Sequence, residues 1–178
     1  AEVTKTLFSA GEEAGGSVVT VTTQILPVLL RRIAEDKDSN VRREAAESLA
    51  EVAKTLLGAG EKGENSSAVV SSEILSALLE TTTEDDDGFV REATVQAVAE
   101  VAKTLLTAEK GGSSQVTVTA EILPSLLRKT TEDDEKDVRE AAVQALVEVA
   151  KLLRSGGEEA GSIVTSEILP ALLRRTTE

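Results

Sequence analysis

The stretch DKDSNVRREAAESLAEVAKTLL, residues 36–57, decides the fold, because close versions of it recur as DDDGFVREATVQAVAEVAKTLL at 85–106 and DDEKDVREAAVQALVEVAKLL at 133–153. Within the first copy, Val41, Ala45, Ser48, Leu49, Val52, Ala53, Leu56 and Leu57 follow one another at helical steps. Steps of three and four residues lay one apolar stripe along about four turns of α-helix. Asp36 and Asp38, Asp85 and Asp87, and Asp133 and Glu135 stand just before the three helices, where carboxylates favour the positive end of the dipole. Lys54, Lys103 and Lys151 sit toward the opposite end, and Gly58 follows the last turn of the first copy as a C-cap would.

A second motif precedes each copy. ILPVLLRR, ILSALLET, ILPSLLRK and ILPALLRR begin at Ile25, Ile74, Ile122 and Ile168, at intervals of 49, 48 and 46 residues. Such a period is the mark of a repeat architecture in which each unit buries its apolar face against the next. The segment around ILPVLLRR also reads as a helix, with Ile25, Leu26, Leu29, Leu30 and Ile33 on one side. Thr22 or Thr23, Ser71 or Ser72, Thr119, and Thr165 or Ser166 are N-cap candidates, which places Pro27, Pro124 and Pro170 near the first turn, where proline is tolerated. The lead-ins at 17–22 and 115–119 alternate Val with Thr, so a short strand stays open beside a helix start. The units fall at 17–57, 66–106 and 113–153, flanked by half units at 1–8 and 162–178, all in one repeat domain spanning 1–178.

These residues resemble HEAT repeats, the helical pairs of importin-type transport receptors and of a phosphatase scaffold subunit. The resemblance rests on a proline in the first helix, then D-x-D-x-x-V-R, then small residues along the second helix. The middle element stands here as Asp36-x-Asp38-x-x-Val41-Arg42, Asp85-x-Asp87-x-x-Val90-Arg91 and Asp133-x-Glu135-x-x-Val138-Arg139. It implies an all-α fold: a right-handed α-solenoid of stacked antiparallel helix pairs, about three and a half repeats long. It also implies a ladder between repeats, with Arg42, Arg91 and Arg139 bonding to Asp36, Asp85 and Asp133 of neighbouring units. Such charge-assisted, directional contacts would set the register of stacking. The second repeat departs from the pattern in Ser76 and in Glu80-Thr81, and the Gly-rich connectors are longer than the family's usual tight turns.

One surface of the repeat offers itself to a partner. Glu2, Glu51, Glu100 and Glu148 occupy equivalent positions, each followed three residues on by Lys5, Lys54, Lys103 and Lys151. By resemblance the second helices line the concave side of the solenoid, so these residues form a possible ladder facing a basic peptide or protein. The alternative is a set of weak surface pairs with no partner. AEVTKTLF at the start aligns with the back half of a second helix, and the last first-helix motif has no companion after it. The expectation is that the apolar ends self-associate, or that the chain is a piece of a longer array.

Other chemistry finds little support. The 178 residues contain no His, Cys, Met, Trp or Tyr, and Phe8 and Phe89 are the only aromatics. Without His or Cys there is no imidazole base, no thiolate nucleophile and neither of the commonest soft metal ligands, so no catalytic residue, cofactor or metal site is expected. A net charge of −13 repels phosphate backbones and anionic lipid, which argues against nucleic acid and membrane as partners. Two motifs match only in form. GAGEKG at 58–63 has dinucleotide-loop spacing, but it follows a helix rather than linking a strand to one. TEDDDG at 83–88 resembles a calcium loop, but its first ligand would be Thr83 and its twelfth Thr94. Near-verbatim repetition and the missing residue types point to an engineered or de novo scaffold. No signal fixes a compartment; an engineered protein would be soluble and expressed in the cytoplasm.

Overall fold

A computed structural model describes residues 21–58, 64–108 and 118–155, together with Ile168 and Pro170. The described residues contain six α-helices and no strand: α1 (Leu26–Glu35), α2 (Ser39–Gly58), α3 (Glu64–Glu84), α4 (Gly88–Ala108), α5 (Leu123–Glu132) and α6 (Lys136–Ser155). Each odd-numbered helix packs against the even-numbered helix that follows it. The even-numbered helices also pack side by side, α2 on α4 and α4 on α6, so the pairs stack into an α-solenoid.

The core runs through the stack without interruption. From α2 it takes Ala45, Ala46, Leu49, Val52, Ala53 and Leu56, from α4 Val95, Val98, Val101 and Ala102, and from α6 Ala142, Leu146, Val149 and Leu153. The alanines matter because a small side chain lets neighbouring helix backbones approach, after which Leu and Val fill the gaps. On α1, Leu26 and Ile33 are buried, and Ile25, Leu29 and Leu30 pack partly buried against the same core. Val90 and Val138, each with a described repeat stacked before it, are fully buried, whereas their equivalent Val41 is exposed. The hydroxyls of the buried Thr82 and Thr94 donate to the carbonyls of Leu78 and Val90, at 2.7 and 2.6 Å, which lets polar residues sit inside an aliphatic core.

The first helices begin earlier than their proposed caps. Ser71 and Ser72 lie inside α3, which already starts at Glu64, and Thr22, Thr23 and Thr119 lie inside π-helical turns at Val21–Ile25 and Val118–Ile122. The last residue before α1 is Ile25, and before α5 Ile122, and neither supplies a side-chain cap. The lead-ins are therefore helical wherever they are described, at 21–22 and 118–119; Thr165, Ser166 and the rest of both lead-ins lie outside the described residues.

Proline explains the turns. Pro27 and Pro124 each stand just after a π turn, and Ile168, two residues before Pro170, is in a π turn as well. A proline inside a helix removes one amide donor and pushes its ring against the carbonyl four residues back, and a wider turn relieves both problems. Repeat two has Ser76 at this position, and α3 runs through it as unbroken α-helix.

Pro124→Ser is accordingly expected to turn the π segment into ordinary α-helix, seen as a protected amide at residue 124 in hydrogen exchange; survival of the π turn would assign it another cause. Leu146→Ala, made at a fully buried position, should lower stability by roughly 2–5 kcal/mol in urea denaturation.

Candidate functional site

The repeats are joined at the short turns between first and second helices. Each turn is built by its own acids: Asp36 Oδ1 accepts the Asp38 amide at 3.0 Å, and Asp38 Oδ1 accepts the Asn40 amide at 2.9 Å, at the start of α2. The pattern recurs where Asp85 accepts from Asp87 and Asp87 from Phe89, both at 2.9 Å. This is the turn written TEDDDG. Asp85 and Asp87 are engaged by backbone amides, and no group of metal-ligating side chains is assembled among the described residues.

Arginine then crosses the seam between repeats. Arg42, in the first turn of α2, grips Asp85 with two parallel bonds, Nε to Oδ2 at 2.7 Å and Nη2 to Oδ1 at 2.9 Å. Its remaining nitrogen donates back to the Asp36 carbonyl at 2.9 Å. Arg91 repeats the arrangement one unit on, reaching Asp133 with Nε at 3.0 Å and Nη2 at 2.9 Å and its own turn at the Asp85 carbonyl at 3.0 Å. Arg139 binds the Asp133 and Asp134 carbonyls of its own turn, at 2.7 and 2.8 Å. A planar guanidinium has donors enough for both tasks, which a lysine lacks.

Further groups join at positions that the D-x-D-x-x-V-R motif leaves open or that precede it. Exposed Asp86 and Asp134 accept a second bond from Arg42 and Arg91, at 3.0 and 2.6 Å. Lys129 Nζ, four residues before Asp133, donates to Asp133 Oδ2 at 2.8 Å, and Arg32 bonds Asp36 from the equivalent position. In repeat two that position holds Thr81, whose hydroxyl donates instead to the Ala77 carbonyl at 2.9 Å. The i,i+4 offset from cation to Asp was the available signal, present in the basic pair of the first and third repeats.

The Asp133 site is the most enclosed: Arg91, Lys129 and Asp133 are 7%, 7% and 6% exposed. Burial pushes the Asp133 carboxyl up, but the bonds from Arg91, Lys129 and the Glu135 amide outweigh it and hold it well below the usual carboxylate range. The Arg42 and Arg91 guanidinium groups are raised, first through Asp85 and Asp133. Asp87 is lowered chiefly by the Ser39 side chain of the preceding repeat, and Asp36 by the Asp38 amide and then Arg32. Beside this seam lies an open cleft of about 350 Å³ reached by Thr83, Arg128 and Glu132. Its cations are occupied: Arg91 and Lys129 by Asp133, and Arg128 by the Thr83 hydroxyl at 2.9 Å.

The Glu and Lys rows lie on the exposed side of the second helices. Lys103 and Lys151 reach Glu100 and Glu148 at 2.6 and 2.7 Å, and Lys54 stands 3.7 Å from Glu51; Glu2 and Lys5 lie outside the described residues. Glu148 is lowered first by Lys151 and also by Lys103 of the preceding repeat, so the rows run on from one helix to the next. Phe89, on the exposed side of α4, is 68% accessible. Sequence periodicity gave no sign of this, because Phe89 replaces Asn40 and Asp137 of the other repeats.

Removing Arg91 as Ala leaves Asp133 enclosed with Lys129 alone, and the expected loss is about 3 kcal/mol in urea denaturation; Arg91→Lys should recover only part of it. A carboxyl depressed in the folded state contributes stability that is present above its unfolded pKa of about 4 and is lost as pH falls through the folded value. The wild type should therefore lose stability steeply below about pH 4, and Asp133→Asn should flatten that acid limb, as measured by thermal unfolding across pH 2–6.

The profile of the HEAT repeat matches residues 25–56 and 122–153, which are the first and third helix pairs. Compared with curated protein sequences, the chain finds no match. The middle pair, with Ser76 and Thr81 in place of proline and a cation, forms the same paired helices and the same arginine bond across the seam. With matched repeats on either side of it and all six described helices stacked as pairs, residues 25–56 and 122–153 are HEAT repeats and the middle pair is built in the same way.

Proposed function

We propose that this repeat scaffold is artificial in origin, that it has no catalytic activity, and that its fold is its function. The observation that carries this is the way its charged side chains are used. Arg42 and Arg91 are bonded to Asp85 and Asp133, and Lys103 and Lys151 to glutamates on their own helices, so the cations most able to recognise a ligand already serve the repeat itself. A chain lacking His and Cys has no group poised for proton transfer near neutral pH, and near-verbatim units built from a narrow alphabet are what deliberate patterning produces.

A second function is favoured by Phe89. An aromatic ring held in solvent at the start of α4, the helix that also carries the exposed Glu100, is suited to a Lys- or Arg-rich peptide, through cation–π contact with the ring and ion pairs with the glutamates. Interface energy concentrates in such anchors, while rim charges mainly steer encounter.

Titration with a lysine-rich peptide at low and at moderate salt separates the two. A scaffold alone should give weak binding that salt removes and that Phe89→Ala leaves unchanged. Binding that survives added salt and falls roughly tenfold or more in Phe89→Ala would replace the scaffold reading with a basic-partner module.

A further inference from the structure

Gly88 opens α4, where the equivalent residues of the other repeats are Ser39 and Lys136. Its backbone is not in the left-handed region, so no turn geometry demands glycine. Glycine there is still a cost, since it loses more conformational freedom on folding than any other residue. Something other than the backbone must explain it.

The next repeat supplies the explanation. A Cβ at Gly88 would lie 2.7 Å from Glu135 Cγ and 3.4 Å from Glu135 Cβ. The first distance is closer than non-bonded carbons approach, so with a Cβ at position 88 the Glu135 side chain would have to shift. Glu135 is the one acid among Asp38, Asp87 and Glu135 that carries an extra methylene. At the preceding seam the same two positions hold Ser39 and Asp87, a larger residue facing a shorter acid, and there the Ser39 side chain is near enough to lower the Asp87 carboxyl.

We infer that these two positions form a size code at the seam, which determines which repeat can follow which. Serine takes an aspartate partner, whose shorter side chain leaves space for it; glycine takes a glutamate partner and makes room for it. The arginine bond is common to both seams and cannot tell the repeats apart. The serine–aspartate and glycine–glutamate pairs can, and they make each seam an interaction surface fitted to one class of neighbour. A repeat that opens its second helix with serine is mismatched to one whose turn carries glutamate. The code extends the scaffold function from how repeats stack to the order in which they stack, and it stands whether or not the outer face binds a partner.

Double-mutant analysis tests it, because local and seam effects have opposite signs. Helix propensity alone makes Gly88→Ser stabilising. The size code makes it destabilising, with about a fivefold loss in the folded-to-unfolded ratio at the transition of the second and third repeats. Glu135→Asp added to Gly88→Ser should restore or exceed the wild-type urea midpoint, since it recreates the first seam. At that first seam, Asp87→Glu should destabilise, and adding Ser39→Gly should rescue it. A Gly88→Ser variant as stable as the wild type, or a double variant no better than the sum of its single changes, would overturn the code.

Discussion

The two-pronged bond from an arginine to an aspartate in the next repeat is the contact on which the register of the stack depends. An aliphatic core is permissive, because Leu, Val and Ala pack adequately at several offsets along a helix face. A guanidinium meeting a carboxylate in parallel is satisfied at one offset and at one angle. Arg91 meets Asp133 in that way at 3.0 and 2.9 Å while holding the carbonyl of its own turn at 3.0 Å, so one side chain fixes both the turn it leaves and the turn it enters. Breaking the bond would therefore loosen two repeats together. Its cost in desolvation is met locally, by the turn amide and by Lys129, which share the buried Asp133 with it.

The same carboxylates do local and long-range work at once. Asp85 Oδ1 accepts the Asp87 amide that shapes its turn, and both of its oxygens receive Arg42 of the preceding repeat. The turn is thus held in shape when the neighbour's guanidinium donor is correctly placed, and the neighbour is held only when the turn has formed. Such mutual dependence makes helix pairs cooperative, although each one touches few partners outside its nearest neighbours. It also accounts for the absence of a free cation at the seam cleft, where Arg128 too is tied across the repeats, to Thr83 at 2.9 Å.

The helices and the spacing of the ladder were legible because both are periodic. The stripe through Ala45, Leu49, Val52, Ala53 and Leu56 is buried as its spacing requires, and the arginines stand where one repeat meets the next. What periodicity hides is whatever differs between units or depends on shape. The N-caps assigned to Thr22, Thr23, Ser71, Ser72 and Thr119 lie within helices, because the helical path starts earlier and passes Pro27 and Pro124 by widening into a π turn. Lys129 reads from sequence as one half of a surface basic pair, yet it is buried against Asp133, since the offset of four points it into the seam. The exposure of Phe89 was equally hidden: an isolated aromatic on a helix is ordinarily assigned to the core.

Repeat two shows where the fold tolerates change. Its departures, Ser76, Thr81, Gly88 and Phe89, fall in the first helix, in the turn or at the very start of α4. From Val90 to Leu106 the second helix keeps the small and aliphatic pattern of its neighbours. The difference follows from position. α4 lies between α2 and α6 and packs on α3 as well, so a change of volume on its inner faces would disturb three contacts at once. On the first helix this position is exposed in all three described repeats, so there a proline can become a serine with only a change in helical pitch. Divergence between repeats is thus distributed according to how many neighbours a residue has to satisfy. The turn is the exception: Asp86 and Asp134 are exposed, yet Asp85 and Asp133 beside them are enclosed against the arginine of the preceding unit, so a substitution there is felt across the seam.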